Sequence, residues 1–173
     1  MIEIVETTEI DPTVFETLFN ASYEKMEQGT MPWDILGNPS SLEEKKAALM
    51  GVFTRSCGWP NSKVIVWHKD GTPIHMAAGS IPLEDSSYIE WTYAMYGPDA
   101  NNSKNWLYDE SYIACTKEYL KESLGIIGYK IACVKDSTIY NYHKNKPNSS
   151  TFYDISEEVS ENGLIAIIRY TYK

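Results

Sequence analysis

The sequence predicts an α+β protein with the element order β-α-α-β-β-β-α-β-α-β-β. Apolar residues recur at helical spacing in some segments and at every second position in others, and turn signals separate these segments. A helical segment also joins two strands in the second half of the chain, which allows them to lie parallel in one mixed sheet. No repeat or low-complexity tract interrupts the 173 residues, so we expect a single domain over residues 1–173.

The chain begins with a predicted strand and two predicted helices. Residues 2–7 alternate apolar and polar side chains, as a half-buried strand does. Asp11-Pro12 supplies an N-cap followed by proline, and the helix it opens is expected to end near Gly29. The inward stripe of this helix consists of Phe15, Leu18, Phe19, Ser22 and Met26. After a loop, the capping box Ser41-Leu42-Glu43-Glu44 opens a second helix that runs to about Arg55.

Three strands then form a predicted antiparallel meander. Residues 64–68 are a first strand, Asp70-Gly71 is a strong hairpin signal, and residues 73–83 return as the partner strand. A turn over residues 84–87 leads into a long aromatic strand, residues 88–96. The period-two pattern therefore places these three strands side by side.

A helix and a further strand follow a polar loop over residues 97–105. Residues 106–124 carry apolar side chains at helical spacing, and Gly125 ends this helix. Residues 126–134 are an apolar strand. Because the helix intervenes, this strand is expected to run parallel to residues 88–96.

The chain closes with a short helix and a hairpin. Residues 136–146 are compatible with a short helix, and residues 147–150 read as a loop. Two strands follow at residues 151–155 and 164–170, with Asn162-Gly163 as the turn between them.

Charge and cysteine content exclude several classes of function. A net charge of −9 with only two arginines, Arg55 and Arg169, argues against nucleic acid as a partner. Three cysteines without Cys-x-x-Cys spacing suggest neither a disulfide framework nor a zinc site, so we expect no metal. The N-terminus lacks a secretory signal and no stretch reaches about 18 apolar residues, so we expect a cytoplasmic protein without a membrane span.

The element order resembles that of the GNAT superfamily of N-acetyltransferases over nearly the whole chain. In that fold helices lie on both faces of a mixed central sheet, and the fourth and fifth strands splay apart at their ends. Acetyl-CoA lies in the wedge with its pyrophosphate at the N-terminus of the intervening helix, where unpaired N–H groups attract anions. The resemblance implies acetyl-CoA as co-substrate and a wedge between residues 88–96 and 126–134 of this chain.

The loop before the helix departs from the family pattern. That pattern is Gln or Arg, two residues, Gly, one residue, then Gly or Ala, whereas residues 97–105 read Gly-Pro-Asp-Ala-Asn-Asn-Ser-Lys-Asn. The resemblance assigns phosphate binding here to backbone N–H groups and polar side chains of Asn102, Ser103, Lys104, Asn105 and Trp106. It assigns polarisation of the thioester carbonyl to the backbone near Met95 and Tyr96. The alternative is a solvated loop with a helix cap.

A catalytic acid is implied by a second, partial match. The family often carries Asn-x-x-Ala-x-x-x-Tyr-Glu-Lys-x-Gly-Phe near its C-terminus. Here Tyr142 and Lys144 match, while the Asn and the Gly-Phe do not. The resemblance implies that Tyr142 protonates the leaving thiolate, to which a phenol is suited by its similar basicity. The alternative is that Tyr140 and Tyr142 are packing residues.

A catalytic base is implied on the aromatic strand. Members of the family often use a carboxylate on the fourth strand, and Glu90 is the only acid within residues 88–96. On a two-residue period Glu90 shares a face with Thr92, Ala94 and Tyr96. His75, on the preceding strand, is an alternative base if the register pairs it with Glu90. The competing interpretation is that Glu90 meets solvent or pairs with a lysine.

Two functions are consistent with this sequence. The first is an acetyl-CoA-dependent N-acetyltransferase whose amine acceptor, a small molecule or a peptide, attacks directly in a ternary complex. The acidic composition favours a cationic acceptor. The second is an inactive GNAT-like binding or interaction protein, of a size that suits a virus, and the missing Gly-x-Gly pattern supports it. The sequence leaves a homodimer open.

Overall fold

The computed structural model describes residues 1–27, 33–97, 109–145 and 149–173. In chain order the elements are β1 (Ile2–Thr7), α1 (Pro12–Lys25), α2 (Leu42–Gly58), β2 (Ser62–Lys69), β3 (Thr72–Ser80), β4 (Tyr88–Tyr96), α3 (Glu110–Leu124), β5 (Gly128–Val134), α4 (Thr138–Lys144), α5 (Ser149–Phe152), β6 (Tyr153–Val159) and β7 (Ile165–Tyr172). A short 3₁₀ turn, Leu83–Asp85, lies between β3 and β4.

All seven strands form one mixed sheet in the order β1-β2-β3-β4-β5-β7-β6. β4 and β5 are parallel, and the other neighbouring strands are antiparallel. A parallel pair needs a crossover connection, which α3 provides. The predicted α+β class and parallel pair are therefore confirmed, and so is the element order apart from the additional short helix α5.

Local sequence signals determine where several elements begin and end. The Asp11 carboxylate accepts the Thr13 N–H at 2.8 Å and caps α1, and Ser41 and Glu44 form the predicted capping box of α2. Asp70 and Gly71 both have positive φ, as the tight turn between β2 and β3 requires.

Helices cover both faces of the sheet, as predicted. α1 and α2 pack on one face, where the buried core consists of Ile10, Phe15, Leu18, Phe19, Met26, Leu49, Phe53, Val64, Val66, Met76, Ala78 and Met95. α3 and α4 pack on the other face, on a core that includes Ile65, Trp67, Ala77, Ile89, Tyr112, Ile113, Leu120, Tyr129, Tyr140, Ile168 and Tyr170. The buried Trp67 indole donates to the Thr116 hydroxyl at 2.9 Å and thereby fixes α3 over β2. Within the described ranges, no helix is long and apolar enough to cross a membrane.

Some boundaries differ from the predicted ones. α3 begins at Glu110 rather than at residue 106, because the Asp109 side chain caps it by accepting the Ser111 N–H; residues 106–108 lie outside the described part. β6 runs to Val159 because it pairs with β7 along its whole length, although its polar residues conceal the alternation. The turn of helix α5 replaces part of the predicted loop at 147–150.

Candidate functional site

β4 and β5 separate halfway along their length. They pair over four positions, from Tyr88 opposite Gly128 to Trp91 opposite Ile131. Beyond these positions β4 continues along β3, and β5 continues along β7. We call the β4–β5 gap the space between residues 92–96 of β4 and residues 132–134 of β5. Its position corresponds to that of the wedge implied by the resemblance, between residues 88–96 and 126–134.

A β-bulge lies at the start of this gap. Ala78 lies opposite Tyr93 whereas Gly79 lies opposite Trp91, so Thr92 is an extra residue in β4. A Cβ atom on Gly79 would lie 2.7 Å from the Glu90 carbonyl oxygen. Glycine at position 79 therefore allows β3 to approach β4 closely where β4 bends.

The bulge changes which residues share a face. Ile89 and Trp91 pack with the α3-side core, and so do Ala94 and Tyr96 beyond the bulge. Strand alternation places Glu90 on the opposite face. The prediction that Glu90 shares a face with Ala94 and Tyr96 is therefore wrong, because the extra residue reverses the alternation.

Glu90 lies on the α1/α2 side of the sheet, beside the gap. Its partner on β3 is Ser80, which alternates with Met76 and Ala78 of that core. Its side chain is half-buried, and no hydrogen bond or ion pair to it occurs among the described residues. On β5 the residue directly opposite is Lys130. Glu90 is thus a carboxylate without a charge partner in the described part of the chain, although a lysine lies next to it.

That lysine is bound elsewhere, in a group that we call the Asp85 cluster: Asp85, Tyr88, Lys130 and Arg169. The Lys130 ammonium forms an ion pair with Asp85 Oδ2, and Arg169 Nη2 lies 3.3 Å from the same oxygen. Both cations lie against the Tyr88 ring, at 5.5 Å for Lys130 and 5.0 Å for Arg169. The hydrogen bond from Lys130 and the two positive charges hold the pKa of Asp85 below its ordinary value.

His75 does not meet Glu90. Their predicted pairing is wrong, because the register places His75 opposite Tyr96 and Glu90 opposite Ser80. His75 is buried and stacks between Trp67 and Tyr96, with ring centroids 4.3 and 4.5 Å away. Its Nδ1 lies 2.8 Å from the Tyr112 hydroxyl. These contacts make His75 part of the packing between α3 and the sheet.

The backbone at the end of β4 has a defined direction. The Gly97 N–H donates to the Ile74 carbonyl at 2.7 Å. Hydrogen-bonded residues alternate along an antiparallel pair, so Met95 also directs its N–H toward β3. Ala94 and Tyr96 consequently direct theirs away from β3, toward the β4–β5 gap. The Met95 side chain is fully buried in the α1/α2 core.

Ser22 of α1 binds the backbone of Tyr96. The Ser22 hydroxyl accepts the Tyr96 N–H and donates to the Tyr96 carbonyl, each at 2.8 Å. The N–H of Tyr96 is therefore occupied within the chain, whereas that of Ala94 is directed into the gap.

Replacing Ser22 by alanine is expected to lower the free energy of unfolding by about 1–3 kcal/mol, because two part-buried backbone groups of Tyr96 lose their partner. Urea denaturation measures this change. Ser123→Ala, at an exposed position of α3, is the matched control and should leave the midpoint nearly unchanged. Equal midpoints for the two variants would contradict the role given to the Ser22 hydroxyl.

Tyr142 lies on α4, on the face of the sheet opposite Glu90, and is 44% exposed. Its neighbour Tyr140 is buried; the Tyr140 hydroxyl donates to Glu157 at 2.8 Å and accepts from Lys144 at 2.9 Å. Tyr140 is therefore a packing residue, whereas Tyr142 presents its side chain partly to solvent.

The predicted phosphate-binding residues Asn102, Ser103, Lys104, Asn105 and Trp106 lie outside the described residues. The helix that follows them begins with two carboxylates, Asp109 and Glu110. Hydrogen bonds from Ser111 hold the pKa of Asp109 below its ordinary value. Because Asp109 already accepts an N–H of the first turn, the start of α3 itself is not an anion site.

Sequence reasoning missed three features of this site. Asp85 lay in a predicted turn, with no signal that it would contact two cations. Ser22 did carry a signal, because it is the one hydroxyl in the otherwise apolar stripe assigned to α1. The bulge at Thr92 had no signal in the sequence that could have predicted it, although the glycine opposite it at position 79 is compatible with a close strand approach.

No family model matches the chain, and no curated protein matches it. Several solved structures, in contrast, are similar to the chain over nearly its whole length. The PaiA N-acetyltransferase from Thermoplasma acidophilum, in complex with coenzyme A, is 14% identical over 99% of both chains with a TM-score of 0.56. Campylobacter jejuni N-acetyltransferase PseH, in complex with acetyl coenzyme A, is 13% identical over 100% of both chains with a TM-score of 0.56.

A third similar structure is a chimera of spermidine N-acetyltransferase SpeG from Vibrio cholerae and hSSAT. It is 10% identical, with 99% of this chain and 95% of that chain covered and a TM-score of 0.63. At these identities the similarity concerns the fold. The chain therefore has a GNAT-like fold, which confirms the fold that the resemblance implied.

Proposed function

We propose that the protein is an N-acetyltransferase that transfers the acetyl group of acetyl-CoA to an amine by direct attack in a ternary complex. The observation that carries the proposal is the β4–β5 gap, with the Ala94 N–H directed into it and beside it Glu90, which has no charge partner among the described residues. Similar folds hold coenzyme A in PaiA and acetyl coenzyme A in PseH, which supports acetyl-CoA as the co-substrate here.

Glu90 is the proposed base. An ammonium group must lose a proton before its nitrogen attacks a thioester, and a carboxylate accepts that proton directly or through a water molecule. The charge of Glu90 is not compensated by another described residue, so it also attracts the cationic acceptor. This supports an amine that approaches from the α1/α2 side of the sheet.

The backbone of β4 is the proposed stabiliser of the developing oxyanion. The carbonyl carbon forms a bond to nitrogen, and negative charge moves onto the carbonyl oxygen. We assign the hydrogen bond to this oxygen to the Ala94 N–H. Met95 and Tyr96 hold this part of β4 in place, the first through its buried side chain and the second through Ser22.

Tyr142 is the proposed acid. When the tetrahedral intermediate collapses, the carbon–sulfur bond breaks and the thiolate of CoA leaves with the electron pair. The phenol of Tyr142 donates its proton to this sulfur and regains one from solvent. The nitrogen, which became positively charged when it formed the new bond, gives its second proton to solvent, and Glu90 releases to solvent the proton that it took first. Glu90 and Tyr142 lie on opposite sides of the sheet, which suits an amine entering from one side and a thiolate leaving on the other.

Phosphate binding is proposed for Asn102, Ser103, Lys104, Asn105 and Trp106. The carboxylates at Asp109 and Glu110 repel a pyrophosphate from the first turn of α3. The anion is therefore expected before residue 109, on backbone N–H groups and the Lys104 ammonium.

Thermal unfolding with and without acetyl-CoA tests the proposal. A ligand at 100 times its Kd adds about 2.7 kcal/mol, and each kcal/mol raises the Tm of a domain of this size by about 2–4 °C. A rise of several degrees is expected with acetyl-CoA and with desulfo-CoA, but not with ADP. No shift at millimolar acetyl-CoA would refute acetyl-CoA as co-substrate. Release of free CoA thiol in the presence of a panel of amines then identifies the acceptor class.

A further inference from the structure

We infer that Asp85 is a positioning residue for the proposed reaction: it holds Lys130 away from Glu90 and so keeps the Glu90 carboxylate available as the base. This inference rests on the proposed function. The strand register and the contacts of the Asp85 cluster support it.

The register places Glu90 and Lys130 directly opposite each other on β4 and β5. Oppositely charged residues in such positions attract each other and ordinarily form a pair. Here Lys130 forms its ion pair with Asp85, and Glu90 has no partner among the described residues. The arrangement thus departs from the pairing that the register alone favours.

Asp85 is well placed to compete for Lys130. It comes from the turn between β3 and β4, and the same carboxylate oxygen also receives Arg169. The Tyr88 ring lies beneath both cations, and its hydroxyl is hydrogen-bonded to Thr171 at 2.8 Å. Lys130 is 9% exposed, so its charge needs a partner inside the protein.

The positive and negative charges of the groups near Glu90 compensate one another without a contribution from Glu90. The 3₁₀ turn supplies Asp85, β5 supplies Lys130 and β7 supplies Arg169. β6 supplies Glu158, 3.7 Å from Arg169, and the residue of β3 opposite Glu90 is the neutral Ser80. The two cations, Lys130 and Arg169, therefore lie beside the carboxylates of Asp85 and Glu158. The negative charge of Glu90 is thus available to attract the cationic acceptor.

Removing the charge of Asp85 should redirect Lys130 to Glu90. In Asp85→Asn, we expect the carboxyl carbon of Glu90, followed by NMR in ¹³C-labelled protein, to titrate about one pH unit lower or more, because a nearby cation favours the charged form. The acid limb of the kcat/KM profile should move to lower pH by the same amount. The plateau should fall about tenfold or more, because Glu90 is then a weaker base that is also paired.

Two further variants separate positioning from structural damage. In Asp85→Asn/Lys130→Met the competing cation is absent, so the Glu90 titration should return to its wild-type range. Asp85→Glu keeps the carboxylate and should restore both the titration and the pH profile. Glu84→Gln, at the exposed neighbouring position, is the matched control and should change neither.

The outcomes distinguish the two proposals. If Asp85→Asn remains folded and Glu90 titrates as in the wild type, the positioning role is refuted, whatever happens to activity. If the titration moves as expected but the wild-type protein neither binds acetyl-CoA nor releases CoA with any amine, the proposed function fails while the competition for Lys130 stands.

Discussion

Glu90→Gln is expected to lower kcat for acetyl transfer by about 10²–10⁴, the range typical for loss of a general base. Glutamine has nearly the shape of glutamate but accepts no proton at neutral pH. Because Glu90 is half-buried and forms no ion pair among the described residues, the substitution breaks no described contact. The loss should therefore appear in turnover rather than in stability. Steady-state kinetics at saturating acetyl-CoA measure it.

Binding of acetyl-CoA provides the internal control for this variant. Calorimetric Kd values for wild type and Glu90→Gln should agree, since the base contacts the acceptor rather than the co-substrate. Glu84→Gln removes a carboxylate at an exposed position nearby and should keep wild-type kcat. A wild-type kcat in Glu90→Gln would show that Glu90 is not the base. The proton of the amine would then be accepted by water.

Gly128→Ala is expected to destabilise the protein by about 3 kcal/mol or more, the upper part of the range for overpacked interiors. A Cβ atom at this position would lie 2.1 Å from the Tyr170 carbonyl oxygen and 3.0 Å from Thr171 Cα. Both are backbone atoms of β7, so no side-chain rotation relieves the contact. Position 128 also begins the short β4–β5 pairing, opposite Tyr88. The Tm should fall by at least about 6 °C.

Gly58→Ala is the matched control for Gly128→Ala. Gly58 ends α2 and has no positive φ, and a Cβ atom at this position would meet no described atom within 4 Å. Alanine favours helix over glycine by up to about 1 kcal/mol, so this variant should be neutral or slightly more stable. Differential scanning calorimetry compares the two. A Gly128→Ala protein as stable as Gly58→Ala would mean that β5 and β7 separate at little cost.

The sequence predicted much of the fold because its local signals agree with one another. The capping box at Ser41, the turn at Asp70-Gly71 and the helix end at Gly125 each depend on a few adjacent residues, and each occurs as predicted. The aromatic strand 88–96 was located with its observed bounds because alternation and flanking turns coincide there. Such signals need no knowledge of distant residues.

The candidate site was less predictable because its geometry depends on distant partners. The faces of β4 depend on a bulge that is accompanied by the close approach of Gly79 on another strand. The environment of Glu90 depends on whether Lys130 binds Asp85, and these residues meet only after the sheet has formed. Periodicity places a residue on a strand; it does not reveal which of two carboxylates a lysine will bind.

The short β4–β5 pairing also has a mechanical consequence. It joins a half-sheet of β1 to β4 to a second half-sheet of β5, β7 and β6 over four positions, whereas β5 and β7 pair over seven. This four-position pairing is the shortest between neighbouring strands of the sheet, so local opening should cost least at the junction. The two halves can change their mutual angle there without breaking a strand from its own half. We therefore expect a molecule that enters between β4 and β5 to be accommodated by a change in the angle between the two half-sheets at this junction.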